Sequence, residues 1–279
     1  MRLSRFVILG AAVSAMVGCS EPSDAPTLQN LPPLAFVRYI NAVPDTLNTT
    51  VRFIDQVEFS PMTFVNVPFR GLGQGSYQPT QAGARRFRVF TFSGDVSVAG
   101  NSTILVDTTI TFEAGRFYTL LHLGYARTGS TPRQRIVNIT DAIPTAPAGI
   151  AFRAIHAGLD VGNVDIYATP TTTDPITGAP LLANVALNTV SGYLARATGA
   201  FASRVTAVGS TTAVISAAAP NGTAGSASID PLGGATIAGS IITAIAFPAT
   251  PANSAGVRFA APGVSYFVDR QPPRTTPNP

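Results

Sequence analysis

The chain has little of several residue types that carry chemistry: among 279 residues there are one cysteine, two histidines, no tryptophan and no lysine. A single cysteine excludes an internal disulfide, so the fold must be held by core burial. One cysteine and two histidines are too few for a zinc site of the usual composition, and we predict no metal and no cofactor. Apart from Arg2 and Arg5, 16 arginines stand against 14 acidic residues. This small excess does not predict nucleic-acid binding.

The N-terminus has the pattern of an export signal. Arg2 and Arg5 precede an apolar run at residues 6–17, and a small residue precedes Cys19, which predicts a signal peptide over residues 1–18. The segment that ends in Cys19 resembles the lipobox of bacterial lipoproteins, and this resemblance implies that Cys19 is lipidated. The alternative is an ordinary secretory signal with an incidental cysteine.

The predicted location follows from the rest of the chain. No later apolar run is long enough to span a bilayer, so membrane attachment would depend on acyl chains on Cys19. Ser20, rather than an aspartate, follows Cys19, which resembles default sorting to the outer membrane. We therefore expect a bacterial cell-envelope protein, lipid-anchored in the outer membrane, on its periplasmic or its outer face.

The chain between its two polar ends contains an internal repeat. Residues 19–34 and 271–279 are polar and rich in proline, which predicts a disordered tether and a disordered tail. Residues 35–45 resemble residues 151–160. Shorter matches follow in the same order, Asn66-Val67 with Asn184-Val185 and Arg88-Val89 with Arg204-Val205. We predict two copies of one domain, at residues 35–143 and 151–270, joined by a linker at 144–150.

Both copies have the sequence pattern of β-strands. Residues 104–112 alternate between apolar and polar side chains, and residues 117–123 are almost entirely apolar, like a strand in a sandwich core. Shorter alternating runs occur at residues 51–53, 164–166 and 257–259. Short strands between turn residues, without an amphipathic helix, favour an all-β fold of two tandem immunoglobulin-like β-sandwiches.

A motif in the second copy resembles a known family. Residues 153–167, R-A-I-H-A-G-L-D-V-G-N-V-D-I-Y, are similar to the R-V-V-H-A-S-P-D-A-P-x-V-D-V-Y stretch of the bacterial "domain of unknown function 4397" family. The resemblance covers most of residues 35–270. In the first copy it is weaker, since Asn41 stands where the family usually has histidine. It implies an exported or surface-attached protein with tandem immunoglobulin-like domains, and it implies no reaction.

His156 is the residue best suited to proton transfer, and a hydrolase that uses it is one alternative. Asp160 and Asp165 are near it in sequence, and an imidazole beside a carboxylate can act as a base. The equivalent residue of the first copy is Asn41, which cannot transfer protons. Asparagine and histidine can both donate and accept hydrogen bonds, which favours a structural role in a turn. We predict no catalytic residue, and we assign four residues to turns: Asn41, Asp45, His156 and Asp160.

The function expected from these patterns is non-catalytic binding, adhesion or assembly in the cell envelope. The densest basic cluster, with a tyrosine upstream, predicts a contact surface formed by Tyr77, Arg85, Arg86 and Arg88. The expected partners are the membrane, through acylated Cys19, and an envelope protein or a glycan. The alternative is a polysaccharide-binding module, which would be favoured by tyrosines exposed on one face: Tyr39, Tyr77, Tyr118 and Tyr125.

Overall fold

Residues 32–55, 63–73, 75–92, 94 and 103–274 are described by a computed structural model. The predicted signal peptide, the predicted lipidation site Cys19, nearly all of the predicted tether and the end of the predicted tail lie outside these residues. The described residues form sixteen β-strands and no helix, so none of them forms a helix that could cross a membrane.

The strands fall into two sets of eight along the chain. The first half contains β1 Leu34–Ala42, β2 Thr49–Phe53, β3 Thr63–Val67, β4 Gln78–Gln81, β5 Gly83–Thr91, β6 Ile104–Phe112, β7 Phe117–Leu123 and β8 Arg135–Asp141. The second half contains β9 Ile150–His156, β10 Val164–Thr169, β11 Leu182–Val185, β12 Leu194–Arg196, β13 Ala202–Ala207, β14 Ala213–Ala218, β15 Ile241–Phe247 and β16 Gly263–Arg270.

Each half forms two four-stranded sheets, and the strand order is the same in both halves. The first half has the orders β4-β1-β7-β8 and β3-β2-β5-β6, and the second has β12-β9-β15-β16 and β11-β10-β13-β14. In both halves the first strand pairs in parallel with the seventh, β1 with β7 and β9 with β15. The predicted fold class, all-β with two tandem β-sandwiches, is confirmed.

Irregularities of the backbone also repeat. Asn66 in β3 and Asn184 in β11 have positive φ angles of 56° and 48°, where the pairing with the neighbouring strand shifts register. Four residues later, Arg70 and Asn188 again share a positive φ, of 64° and 69°. Asparagine enters the left-handed region more readily than most residues. The sequence match of Asn66 with Asn184 therefore marks equivalent bulges.

The buried residues that the structure describes form three clusters, one inside each sandwich and one between the two. β1 is buried on both faces, and its residues Val37 and Tyr39 belong to the core of the first half. On its opposite face, Ile40 and Ala42 contact residues of the second half, including Ile155 on β9. The sheets that contain β1 and β9, called the inner sheets below, therefore pack face to face between the two outer sheets. The chain from Pro33 onward forms one compact unit.

The strand prediction at residues 257–259 is wrong. This segment lies in the loop between β15 and β16. The Phe259 N–H donates to Thr250 Oγ1 and its carbonyl accepts from the Thr250 N–H, so it bonds its own loop and not a strand. Its ring packs on Phe69 and Arg70. A three-residue alternation is too short to distinguish such a loop from a strand.

Candidate functional site

Two buried ion pairs join the inner sheets of the two halves. Arg38 on β1 donates through Nη1 to Asp269 on β16 at 2.6 Å, and Arg153 on β9 donates through Nη2 to Asp141 on β8 at 2.7 Å. These side chains are at most 3% exposed. Each arginine reaches from its own half to the aspartate of the other half, so the two pairs are reciprocal.

Hydroxyl groups of the first half complete this network on one side. Thr119 on β7 accepts from Arg38 Nε at 2.8 Å and donates to Asp141 at 2.6 Å. The Tyr77 hydroxyl donates to Asp141 at 2.7 Å, and the Arg38 guanidinium lies 4.7 Å from the centre of the Tyr77 ring. The threonine and the tyrosine thus hold the aspartate that receives the partner half's arginine.

The second half repeats the arrangement. Thr243 on β15 accepts from Arg153 Nε at 2.8 Å and donates to Asp269. Tyr193 donates to Asp269 at 2.5 Å, and the Arg153 guanidinium lies 4.6 Å from the centre of its ring. We call the eight residues the Arg–Asp interlock: Arg38, Tyr77, Thr119, Asp141, Arg153, Tyr193, Thr243 and Asp269.

The interlock contains two positive and two negative charges and is suited to holding the halves together. Burial disfavours the charge of Arg38, but Asp269, Tyr77 and Asp141 together more than offset this effect, so the pKa of Arg38 is raised and it stays charged. Burial raises the pKa of Tyr77 and Tyr193 far above the ordinary value, so both keep their protons. With its charges paired and its protons fixed, the interlock offers no group for acid–base chemistry at neutral pH.

Arg70 adds a second connection between the halves. Its Nη2 donates to the carbonyls of Pro248 and Ala261, both at 2.6 Å, in the loop between β15 and β16. The guanidinium also lies 4.1 Å from the centre of the Phe259 ring. The side chain therefore crosses from the first half and caps loop carbonyls of the second.

His156 is bound by its own turn. It is fully buried at the end of β9; its Nε2–H donates to the Gly162 carbonyl at 2.6 Å, and its Nδ1 accepts from the Gly158 N–H at 3.2 Å. Burial lowers its pKa, which keeps the ring neutral. Asn41, at the end of β1, donates to the Val67 carbonyl and accepts from the N–H of the residue two positions later. Both residues thus bond the backbone after their strand.

Asp45 and Asp160 follow these turns and cap neighbouring loops. Asp45 accepts from the N–H groups of Ala126 and Arg127 at 2.7 and 2.9 Å, and Asp160 accepts from the Ala249 N–H at 3.0 Å. In both halves the capped loop follows the seventh strand. The four residues assigned to turns therefore lie where backbone N–H or carbonyl groups need partners.

His122 lies inside the first sandwich. Its Nδ1 is 2.8 Å from the Tyr39 hydroxyl and its Nε2 donates to Gln134 Oε1 at 3.0 Å. Burial lowers the pKa of His122 to about 4, so the ring is neutral near pH 7. In the described part of the chain, neither His122 nor any other residue belongs to a group of three or more His, Cys, Asp or Glu side chains that could hold a metal ion.

The residues predicted as one contact surface lie in different places. Arg86 and Arg88 lie on the exposed face of the outer sheet, where both bind Asp107 of β6 and lower its pKa to about 2. Arg85 points to the opposite face of β5, and its guanidinium makes four hydrogen bonds to residues 81–84 and one to Asp55 after β2. Tyr77 belongs to the interlock. Only Arg86 and Arg88 share a face.

The tyrosines named for polysaccharide binding do not form an exposed platform. Tyr39 and Tyr118 are buried in the core of the first half. Tyr77 and Tyr125 are half-buried, and Tyr77 packs edge-on against Phe117. By the criterion set from the sequence, this arrangement counts against stacking of a sugar on these rings.

Sequence reasoning missed the interlock, although one signal for it was present. Arg38 and Arg153 occupy matching places in the repeat, each in a strand with apolar neighbours. A charge inside a buried strand requires a partner. Its presence in both copies therefore indicated a paired network, but the aspartates lie far away in sequence and could not be assigned.

Comparisons with known proteins show a likeness to one family over part of the chain. None of the curated proteins compared matches the chain. The match to a family model extends from Ala35 to Tyr167, through all eight strands of the first half and into β10 of the second. The resemblance inferred from the sequence is confirmed for this segment. That the second copy also resembles this family stays a prediction. Residues 35–167 are similar to the family described as "Domain of unknown function (DUF4397)".

Proposed function

We propose that this protein is a lipid-anchored component of the bacterial cell envelope, in which two joined β-sandwiches form a rigid, non-catalytic binding or assembly module. The observation that carries the proposal is that polar groups suited to chemistry are held by the fold. His156 and His122 bond their surroundings through both ring nitrogens. The buried charges of the interlock are paired across the halves.

The anchor part of the proposal rests on the sequence around Cys19. Expression of the full chain in a bacterial host, followed by mass spectrometry of the N-terminal peptide, tests it. A mature chain that begins at acylated Cys19 and is found in the membrane fraction is expected. Cys19→Ala should remove the acyl mass, and Ser20→Ala, the control next to it, should keep it. A mature N-terminus without lipid would contradict the anchor and support an ordinary secretory signal.

The binding part of the proposal points to the exposed face around Arg86 and Arg88. Arg86 and Arg88 both bind Asp107 on this face of the outer sheet, so this group of three residues carries a net positive charge. A face of one sign attracts an acidic partner. An acidic envelope protein or an acidic glycan is therefore the expected partner.

A photo-crosslinking experiment tests this face in cells. A benzophenone amino acid in place of Arg86 should capture a recurrent envelope protein, while the same probe in place of exposed Arg116 should not. Amine-reactive crosslinkers are unsuitable because the chain has no lysine. Capture of glycan alone would favour the polysaccharide-binding alternative. No difference between the two probe positions would contradict a binding role for this face.

A further inference from the structure

A small pocket in the second half is lined by an arginine, Arg196, whose Nε has no hydrogen-bond partner among the described residues. The pocket has a volume of about 240 Å³ and lies between β10, the loop after it and Arg196 at the end of β12. Its remaining walls combine hydroxyl-bearing and apolar residues: Tyr167, Thr169, Thr177, Pro170, Pro175 and Leu181. A concave site with apolar walls and one charged group is typical of small-ligand pockets.

The Arg196 guanidinium packs on an aromatic ring and forms no ion pair within the part of the chain that the structure describes. It lies 4.7 Å from the centre of the Phe201 ring, which holds its plane. Its Nε is buried and has no hydrogen-bond partner within the described ranges of the chain. The acidic residue of the pocket loop, Asp174, accepts from the Thr171 N–H at 2.8 Å and forms no ion pair with Arg196 among the described residues. A buried donor of a charged group is therefore left unsatisfied.

The fold itself does not require an arginine at this position. Arg196 pairs with Ile150 at the start of β9, and the equivalent residue of the first half, Thr80, pairs with Ala35 at the start of β1. The corresponding strand of the first half, β4, therefore forms with an uncharged residue at this position. Arg85 of the first half also differs from Arg196, since its guanidinium is saturated by hydrogen bonds. At this position of the repeat, the second half therefore has an arginine where the first half has a threonine.

We propose that this pocket binds a small carboxylate, of about the size of a sugar acid, through the guanidinium of Arg196. Carboxylates match the planar fork of arginine and can accept from its two terminal nitrogens together. The volume lies below the roughly 300–1,000 Å³ of pockets that hold drug-sized ligands, so a monosaccharide-sized molecule fits better than a longer chain. The site goes beyond the proposed envelope role and does not depend on lipidation.

Nuclear magnetic resonance of the arginine Nε–Hε groups tests the proposal directly. The mature chain from Cys19 onward, purified in non-ionic detergent, contains 16 arginines and should give one such signal for each. The Nε–Hε signal that is present in the unchanged protein and absent from Arg196→Gln belongs to Arg196. Titration with sodium glucuronate should move this signal saturably, with a dissociation constant of about 1 mM for a ligand of this size. Acetate should move it more weakly, and glucose, which lacks the carboxylate, should not.

Two further variants separate a specific site from general attraction. Arg196→Lys keeps the charge but loses the fork, and glucuronate binding measured by calorimetry should weaken at least tenfold. Arg116→Gln removes a charge from an exposed loop and should leave the affinity unchanged. Each of three results would overturn the proposal. The first is a glucuronate affinity that Arg196→Lys does not change, and the second is an equal response to glucose. The third is no shift of the Arg196 signal at a glucuronate concentration 50-fold above about 1 mM. None of these results bears on Cys19.

Discussion

Removing one charge from the Arg–Asp interlock should destabilise both halves of the protein. In Arg38→Met, Asp269 loses its 2.6 Å partner inside the core and keeps Tyr193, Thr243 and Arg153, the last at 3.6 Å. Breaking a buried ion pair by removing one partner typically costs 3–5 kcal/mol, about 3 kcal/mol here because the remaining partners offset part of the loss. Arg86→Met is the matched control. Its side chain is 53% exposed, and because a solvent-exposed ion pair contributes little to stability, its loss should leave the unfolding midpoint almost unchanged.

Urea unfolding of the full chain, followed by far-ultraviolet circular dichroism, measures the difference. We expect one transition that moves as a whole in Arg38→Met, because the lost contact joins the halves. Adding Asp269→Asn to Arg38→Met removes the orphaned charge and should restore part of the stability, with a coupling above about 1 kcal/mol. The reasoning fails if Arg38→Met unfolds no more easily than Arg86→Met, or if only one of two separate transitions moves.

Two other predictions concern single residues. The pKa of His122 is lowered to about 4, below the 6.5 of an unfolded chain. Its contribution to the unfolding free energy is therefore complete above pH 6.5. As the pH falls toward 4, about 3 kcal/mol of the unfolding free energy is lost. The unfolding free energy should therefore fall less steeply over this range in His122→Gln than in the unchanged protein; equal slopes would contradict the assignment. Gly124→Ala places a Cβ 2.5 Å from the Arg133 carbonyl, whereas Gly115→Ala meets nothing within 4 Å, and both glycines have positive φ. Gly124→Ala should lower the unfolding free energy by at least about 1 kcal/mol more than Gly115→Ala, and its thermal midpoint should therefore be lower. Equal midpoints would contradict this prediction and mean that the backbone relaxes.

The strands that were predictable from sequence are those with long, regular patterns. The alternation at residues 104–112 and the apolar run at residues 117–123 coincide with β6 and β7. Both patterns persist over seven or more residues, so a chance match is improbable. The three-residue alternation at 257–259 was misleading, because Phe259 is placed by packing on Arg70 and not by a sheet. The contact between the inner sheets could not be predicted, since apolar residues on both faces of β1 fit any doubly covered strand.

The candidate sites were less predictable than the fold. Asn41 and His156 each accept from a backbone N–H two residues later, and the residue types alone indicate that capacity. The grouping of Tyr77 with Arg85 and Arg86 rested on closeness in sequence. It neglected that neighbouring residues of a strand point to opposite faces. Arg196 carried no signal in its own strand, because the missing partner is a feature of three-dimensional surroundings.

The reciprocal form of the interlock has a consequence for the assembly state of the two sandwiches. An arginine and an aspartate on each side, each bound by its counterpart, form the self-complementary contact of a symmetric dimer. Here both protomers belong to one polypeptide, and only the residues between β8 and β9 separate them. Their pairing is therefore unimolecular and insensitive to dilution. Unlike the identical subunits of a homodimer, the two copies can also diverge, and Thr80 and Arg196 have done so at equivalent positions.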